Sequence, residues 1–218
     1  MIHAINKGKT SIELKEDTKT SMILGSLLHL PTTIFWQILR RACKDEQILP
    51  RICGKINSIE FWPEWSIQGE YNNKITNSNR VEPDVFISFE DFDLIIEVKL
   101  NDGNGQYEEQ WCNEINSYHN EYGENKKLYF IALGGNENLN FGRNSNIEII
   151  KCSWVNLMIE VETCKNEIVE HKYNLGIEDS LLRILQDLID IFNYFGVVDS
   201  WLENIDFKKY KIDLYNIL

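Results

Sequence analysis

The sequence predicts an α/β fold, in which a central mixed β-sheet is flanked by helices and a helical segment is added at the C-terminal end. Three observations predict this class. Apolar residues recur at helical spacing near the N-terminus, short apolar runs typical of strands occupy the middle of the chain, and an amphipathic segment lies near the C-terminus. No internal repeat and no linker rich in Pro, Gly or Ser divides the chain, which favours a single domain over residues 1–218.

The N-terminal region predicts two helices separated by a proline. Residues 21–30 are rich in apolar side chains and are followed by Pro31, which interrupts a helix. One of the two threonines after this proline is expected to cap a second helix that reaches about Lys44. The polar face of this helix carries Arg40 and Arg41, which makes these two side chains candidate contacts for a negatively charged substrate.

The clearest pattern in the middle of the chain is a β-hairpin. Residues 59–67 form a β-favouring aromatic stretch that predicts a first strand, and the Asn-rich residues 71–80 predict an exposed loop. Two apolar runs follow, at residues 83–89 and 94–100, with four polar-leaning residues between them. Such a pair of runs predicts two antiparallel strands joined by a short turn.

Helix and strand patterns alternate after the hairpin. Residues 106–122 have apolar side chains at helical spacing, and residues 127–133 and 147–154 predict two further strands. Residues 178–195 predict an amphipathic helix with a continuous apolar stripe. We expect this stripe to be buried in the core, with a surface for a partner protein or a second copy as the alternative.

Charge is unevenly distributed along the chain. The formal net charge is −12, yet residues 1–55 hold nine Lys or Arg against five Asp or Glu. Residues 81–122 hold eleven acids and a single base, Lys99. Nucleic-acid binding usually depends on Lys and Arg, so the total charge is unfavourable for it. An acidic centre beside a more basic flank suits a site in which a bound cation meets phosphate, and an acidic solvated surface is the alternative.

Composition also excludes several classes of protein. No segment approaches the roughly 20 consecutive apolar residues needed to cross a bilayer, so we expect no membrane-spanning role. The first residues lack the pattern of a secretion signal, which predicts a cytoplasmic location. The five cysteines are odd in number, scattered and never spaced as CxxC, which argues against a disulfide framework and a structural zinc site.

The predicted hairpin brings three charged side chains together. Glu97 and Lys99 are two residues apart on one strand and therefore point to the same side. Antiparallel pairing places Asp84, at the start of the preceding strand, beside them. Carboxylate oxygens are ligands for Mg²⁺ or Mn²⁺, and we expect the backbone carbonyl of Val98 to complete the coordination. Lys99 would orient a water molecule, assist its deprotonation or stabilise charge; an exposed salt bridge on an edge hairpin is the alternative.

These residues resemble the motif of the PD-(D/E)xK phosphodiesterase superfamily. Pro83-Asp84 resembles the PD element, Glu97-Val98-Lys99 resembles the (D/E)xK element, and the similarity covers roughly residues 59–154. The resemblance implies a restriction-endonuclease-like core at about residues 20–154, with a C-terminal helical extension at about 155–218. It further implies a Mg²⁺- or Mn²⁺-dependent nuclease that hydrolyses phosphodiester bonds, with DNA as the expected substrate, in restriction, repair or defence against foreign DNA.

The resemblance also concerns residues outside the motif. Gln106 and Gln110 share a helical face with Tyr118, and related nucleases use a glutamine and a tyrosine here to contact substrate or water; ordinary surface amides are the alternative. A further acidic ligand usually precedes the hairpin in this superfamily. The sequence does not choose among the candidates, which are Glu13, Glu16, Asp17, Asp45, Glu46, Glu60, Glu64 and Glu70.

Two other functional classes remain open on sequence alone. The acidic composition also suits a non-catalytic module of nuclease fold that binds a protein partner, or an acidic protein that mimics nucleic acid. A homodimer would be the simplest way to cut both strands of a duplex, and residues 178–195 are a candidate interface. Trp62, Trp65 and Trp111 are candidates for stacking on bases, with burial in the core as the alternative.

Overall fold

The computed structural model describes residues 2–67, 80–136, 148–170 and 178–197. The loop predicted at residues 71–80 lies outside the described residues except for Arg80. Within the described ranges, no helix is long and apolar enough to cross a membrane. In chain order the elements are α1 (Ile2–Asn6), α2 (Glu16–Leu27), α3 (Thr32–Ala42), a 3₁₀ turn (Glu46–Ile48), β1 (Ile56–Phe61), β2 (Trp65–Ser66), β3 (Arg80–Val81), β4 (Val85–Phe89), β5 (Phe92–Val98), α4 (Glu108–Tyr122), β6 (Lys127–Leu133), β7 (Ile149–Cys152), α5 (Trp154–Glu170) and α6 (Glu178–Tyr194).

A five-stranded mixed sheet forms the centre of the fold. Its strand order is β1-β4-β5-β6-β7, and β2 and β3 form a separate two-stranded sheet. β4 pairs antiparallel with both β1 and β5, whereas β6 pairs parallel with both β5 and β7. The parallel step from β5 to β6 requires a crossover connection, which α4 provides. The predicted α/β class with a central mixed sheet is therefore confirmed.

Helices cover both faces of this sheet. On one face, Leu94, Ile96 and Val98 belong to a large apolar cluster that also contains residues of α2, α3, α5 and α6. On the opposite face, Ile95 belongs to a smaller cluster with Trp111 and other residues of α4. Every residue of β5 is buried, which explains why its sequence is a nearly continuous apolar run.

The predicted hairpin is present, with a shorter turn than expected. Val85 lies opposite Ile96, and only Glu90 and Asp91 remain between the two strands. The sequence suggested a turn of four residues because Asp93 is charged. In the structure Asp93 is part of β5, where the ammonium of Lys126 lies 2.8 Å from its Oδ1 atom. An ion pair of this kind allows a charged residue inside a buried strand.

The predictions for the region before the hairpin need three corrections. α2 begins at Glu16 and ends at Leu27, earlier at both ends than predicted. Pro31, and not a threonine, occupies the N-terminal cap position of α3, and no side chain caps this helix. The single strand predicted at residues 59–67 is divided into β1 and β2, because Trp62 has a φ of 50° and leaves the strand conformation.

The C-terminal helices belong to the same core as the sheet. The sequence did not predict α5 as a separate helix, although it did predict α6. Leu185, Leu188 and Phe192 on the stripe of α6 are fully buried in the cluster that contains β4 and β5. This stripe is therefore core, as the first alternative had it. All five cysteines have free thiols, in agreement with the prediction.

Candidate active site

The hairpin brings Asp84, Glu97 and Lys99 into one cleft of about 370 Å³. Asp84 and Glu97 face each other one step beyond the register pair of Val85 and Ile96. The Nζ atom of Lys99 lies 2.6 Å from Oε1 of Glu97. The three motif residues therefore converge as the strand pattern predicted.

Asp84 is held at the start of β4 by two N–H donors. The backbone N–H of Val98 donates to its Oδ2 atom at 2.8 Å, and the indole N–H of Trp62 donates to its Oδ1 atom at 3.1 Å. Its side chain is nearly buried, with 7% of the residue exposed. Burial, and then the charge of Glu97, raise the pKa of Asp84 to about 7. This carboxyl group thus changes charge near neutral pH.

The two carboxyl oxygens of Glu97 have different surroundings. Its Oε1 atom accepts hydrogen bonds from Lys99 and from Nε2 of Gln110, each at 2.6 Å. Its Oε2 atom is buried and receives no hydrogen bond from an N–H group. Burial raises the pKa of Glu97, although Lys99 acts in the opposite direction. A buried carboxylate oxygen without an N–H donor is costly, and a bound cation would satisfy it.

A second buried carboxyl group adjoins Glu97. Glu114 on α4 is 1% exposed, and Gln110 donates to its Oε1 atom at 3.0 Å. Its Oε2 atom receives no hydrogen bond from an N–H group, and the carboxyl groups of Glu114 and Glu97 form a side-chain hydrogen bond when Glu114 carries a proton. Burial, and then the charge of Glu97, raise the pKa of Glu114 well above its ordinary value. The sequence analysis missed this residue, although it lies four positions after Gln110 and therefore on the same helical face.

Lys99 is surrounded by acceptors. Its Nζ atom donates to the carbonyl oxygen of Val98 at 2.8 Å and lies 3.6 Å from Oε1 of Glu16. Burial lowers the pKa of Lys99, but the carboxylates of Glu97, Glu16 and Asp84 outweigh burial, so the pKa is raised overall. Lys99 is therefore an ammonium ion at neutral pH. Among the three roles left open for it, this state favours stabilising negative charge over accepting a proton.

The main chain that follows Lys99 is held by α2. The backbone N–H of Leu100 donates to Oε2 of Glu16 at 2.9 Å, and Nζ of Lys19 donates to the carbonyl oxygen of Leu100 at 2.7 Å. Lys19 also lies 4.3 Å from the centre of the Trp154 ring. One turn of helix thus binds both polar groups of the residue after Lys99.

The opposite side of Lys99 is enclosed by the end of β6. The indole N–H of Trp154 donates to the carbonyl oxygen of Lys99 at 2.7 Å. Gly134 and Gly135 have φ values of 73° and 67°, and a Cβ atom at Gly135 would lie 2.8 Å from Cγ of Lys99. Only glycine combines this backbone conformation with so close a neighbour.

The structure selects among the acidic residues that the sequence left open. Glu16 reaches Lys99 and Leu100, and Asp17 also lines the cleft. Glu70 lies outside the described residues. The remaining candidates do not line this cleft: Glu13, Asp45, Glu46, Glu60 and Glu64.

The other predicted contact residues lie in different places. Gln110 lines the cleft, whereas Gln106 is buried and donates to the carbonyl oxygen of Glu97 at 3.0 Å. Tyr118 is fully buried and donates to Asp93, at the other end of β5. Gln106 and Tyr118 are therefore parts of the scaffold, in contrast to the substrate contacts suggested for them.

The two arginines predicted to contact substrate are not brought to this cleft. Arg40 forms an ion pair with Glu46 at 3.4 Å, and Arg41 forms one with Glu167 on α5, also at 3.4 Å. Their helix face is polar, as predicted, but it meets acidic side chains of the same chain. Position therefore gives no support to these two residues as contacts at Asp84, Glu97 and Lys99.

The available oxygen atoms fit a hard divalent cation in chemistry. Asp84, Glu97, Glu16 and the carbonyl oxygen of Val98 are ligands of the type that Mg²⁺ and Mn²⁺ prefer, and Oε2 of Glu97 receives no hydrogen bond from Lys99 or Gln110. Among the described residues, no group of three or more His, Cys, Asp or Glu side chains is already arranged around one point as a metal site. Loading would thus require the contacts of Lys99 to rearrange.

The fold and the cleft define an α/β protein with a buried cluster of carboxyl groups and one lysine at the end of a sheet strand. Comparisons with protein-family models, curated proteins and solved structures found no match. The assignment of a function consequently depends on the motif and on its geometry.

Proposed function

We propose that this chain is a metal-dependent nuclease with a restriction-endonuclease-like core, which hydrolyses phosphodiester bonds with DNA as its substrate. One observation carries the proposal: Asp84, Glu97 and Lys99 meet in one cleft, and Glu97 lies against a second buried carboxyl group, that of Glu114. The resemblance of the same three residues to the PD-(D/E)xK motif supports the reaction class.

The other end of β5 shows how this chain compensates a buried acid that serves structure alone. Asp93 is 3% exposed, forms an ion pair with Lys126 and accepts a hydrogen bond from Tyr118. Among the described residues that line the candidate site, Lys99 is the single cation, and the carboxylates of Glu97, Glu16 and Asp84 share it. An excess of buried negative charge is unfavourable for folding and favourable for binding a cation.

Each residue has a defined task in the proposed reaction. Asp84, Glu97 and the carbonyl oxygen of Val98 would hold Mg²⁺ or Mn²⁺. When bound, the ion supplies an activated water and neutralises charge on the phosphate. Lys99, as an ammonium ion, stabilises the negative charge that develops on the phosphate oxygens. Gln110 keeps Glu97 oriented through its amide group.

The test is a cleavage assay with linear, circular and single-stranded DNA and with RNA. Wild-type protein should cut at least one of these substrates with Mg²⁺ or Mn²⁺ and should be inactive with a chelator. Lys99→Ala should lower the rate by a factor of about 100 or more, since one group that stabilises transition-state charge contributes on that order. Lys126→Ala is the matched control. It removes the lysine that forms an ion pair with Asp93, the other acidic residue of β5, and should leave cleavage per folded molecule unchanged.

The acidic rim of the cleft favours one other function. Glu16, Asp17 and Glu82 line the cleft beside the motif residues. Such a rim also suits a non-catalytic module that binds a basic protein partner or mimics nucleic acid. If the protein neither cuts any substrate nor binds Mg²⁺ or Mn²⁺ in a calorimetric titration, the nuclease proposal is wrong and this second function takes its place.

A further inference from the structure

Trp62 has a strained backbone at the mouth of the cleft. Its φ is 50°, and among the described residues it is the only non-glycine residue with a positive φ. Side chains with a Cβ atom rarely adopt this conformation, because Cβ then crowds the following carbonyl group. Strain of this kind persists where the surrounding structure enforces it, and it is concentrated at functional sites.

Two hydrogen bonds to Asp84 enforce the conformation of Trp62. Its backbone N–H donates to the carbonyl oxygen of Asp84 at 3.1 Å, and its indole N–H donates to Oδ1 of the same residue at 3.1 Å. The ring of Phe61 lies behind it, with 5.6 Å between ring centres. The indole is therefore fixed in position directly beside a proposed metal ligand.

Trp62 is half-buried, whereas the other two tryptophans that the sequence singled out are in the core. Trp65 and Trp111 are each 2% exposed. Trp62 lines the cleft of Asp84, Glu97 and Lys99, and it is the single aromatic side chain among the described residues of that lining. Burial in the core, the alternative to base stacking, therefore applies to Trp65 and Trp111 and not to Trp62.

The rest of the lining indicates what the ring would meet. Glu16, Asp17 and Glu82 are acidic and would repel a phosphate at the rim. A nucleobase is uncharged and has an apolar face that stacks on an indole ring. The chemistry beside Asp84 therefore favours a base over a second phosphate.

We propose that Trp62 is a stacking platform for the unpaired base next to the phosphate that is cut, so that the substrate is a single strand or a frayed end. In an intact duplex both faces of each base are covered by neighbouring bases, and an inserted indole would have to displace one of them. The proposal rests on the proposed nuclease function, because it names the substrate class of that same site.

Binding is measured without cleavage, in the Lys99→Met background with Mg²⁺, by fluorescence anisotropy of labelled oligonucleotides. The probes are a single strand, the same strand with one abasic position moved along it, and the matching duplex. The single strand should bind more tightly than the duplex. Trp62→Leu should weaken single-strand binding about 5- to 100-fold, the range expected when one stacked base is lost. The abasic position should weaken binding to a similar degree at one place in the strand.

Trp62→Phe is the matched variant, since it keeps an aromatic ring and removes only the hydrogen bond from the indole to Oδ1 of Asp84. Its affinity for the single strand should be within about threefold of that of the parent. This comparison separates the effect of stacking from the effect of orienting Asp84. Circular dichroism of both variants checks that they fold; if Trp62→Leu does not fold, the abasic scan on the parent protein decides.

Equal binding of single strand and duplex, an abasic scan without effect, or no binding of single strands each overturns the proposal. The nuclease function is judged separately by wild-type cleavage. If the protein cuts DNA with no dependence on Trp62, only the proposal of a stacking platform is wrong. If the protein binds single strands through Trp62 and cuts no substrate, only the nuclease assignment is wrong.

Discussion

Nζ of Lys19 donates a hydrogen bond to the carbonyl oxygen of Leu100 at 2.7 Å, from a residue that is only 3% exposed. The two residues are separated by 81 positions in the chain. Leu100 directly follows Lys99, so α2 helps to set the direction in which the lysine leaves β5. A buried charge on a helix outside the motif is thereby coupled to the geometry of the site.

Lys19 should make stability rise with pH in the alkaline range. Burial lowers the pKa of Lys19 from 10.5 to about 8. A lowered folded pKa means that the stability contribution is present above 10.5 and is lost as pH falls through about 8. Relative to Lys19→Met, the free energy of unfolding of the wild type should rise by about 2 kcal/mol between pH 7 and pH 10. Denaturant unfolding at several pH values measures this difference. Parallel curves of unfolding free energy against pH for the wild type and Lys19→Met would contradict the prediction.

Glu97→Gln should stabilise the metal-free protein and abolish its response to Mg²⁺. The amide oxygen still accepts from Lys99 and Gln110, and the amide nitrogen can donate to Glu114. The substitution removes one charge from a cluster in which several carboxylates share Lys99, and Glu16 and Asp84 still compensate the ammonium ion. At about 100 times its Kd, Mg²⁺ should stabilise the wild type by about 3 kcal/mol and the variant not at all. Thermal unfolding with and without Mg²⁺ measures both effects.

Asp93→Asn is the control for Glu97→Gln on the same strand. It removes the ion pair with Lys126, so the Tm should fall. The increase in Tm caused by Mg²⁺ should remain, because Asp93 lies at the other end of β5. A Mg²⁺ response that survives in Glu97→Gln and disappears in Asp93→Asn would show that the cation binds elsewhere.

Asp84 should make the metal-free protein less stable as pH rises towards neutrality. Its folded pKa is raised from 3.8 to about 7, so its contribution to stability is present below 3.8 and is lost as pH rises through about 7. Between pH 5 and pH 8 the wild type should lose about 3 kcal/mol relative to Asp84→Asn. An amide cannot accept from both Val98 and Trp62, so Asp84→Asn also changes stability at every pH. The readout is therefore the difference in pH dependence between the two proteins. A pH-independent difference would refute the raised pKa.

Gly135→Ala should impair cleavage more than it impairs folding. The new Cβ atom would lie 2.8 Å from Cγ of Lys99, which must then move. Gly8→Ala is the matched control, because Gly8 has a similar φ of 63° and no neighbouring atom within 4 Å of the new Cβ. Both variants should lose about 1 kcal/mol of stability from backbone strain. Only Gly135→Ala should lower kcat, by about tenfold or more; equal kcat values would exclude contact with Lys99 as the cause.

The sequence was most informative where the site depends on local pattern. Glu97 and Lys99 are two residues apart, and Asp84 is joined to them by one hairpin, so strand periodicity and antiparallel pairing suffice to bring them together. The first two residues of β5, Phe92 and Asp93, were assigned to the turn because Asp93 looks like a turn residue until Lys126 is placed beside it.

The parts that the sequence did not predict are long-range. Glu16 and Leu100 are 84 positions apart, and Lys99 and Trp154 are 55 apart. Strand or helix periodicity carries no information about such pairs, because it describes only neighbours within one element. Arg40 and Arg41 were placed on a polar face correctly. Their acidic partners were not predicted, because Glu167 is 126 positions from Arg41 and Glu46 lies in the element that follows α3.

The bond from Trp154 to the carbonyl oxygen of Lys99 also determines when the site is complete during synthesis. The ribosome releases Asp84, Glu97 and Lys99 well before Trp154, because a chain emerges from its N-terminus onwards. A growing chain that carries the whole motif therefore still lacks one of the contacts that hold Lys99 in place. Under the proposed function, Lys99 would gain this support only once most of the protein exists, which would delay activity of the nascent chain towards nucleic acid in its own cell.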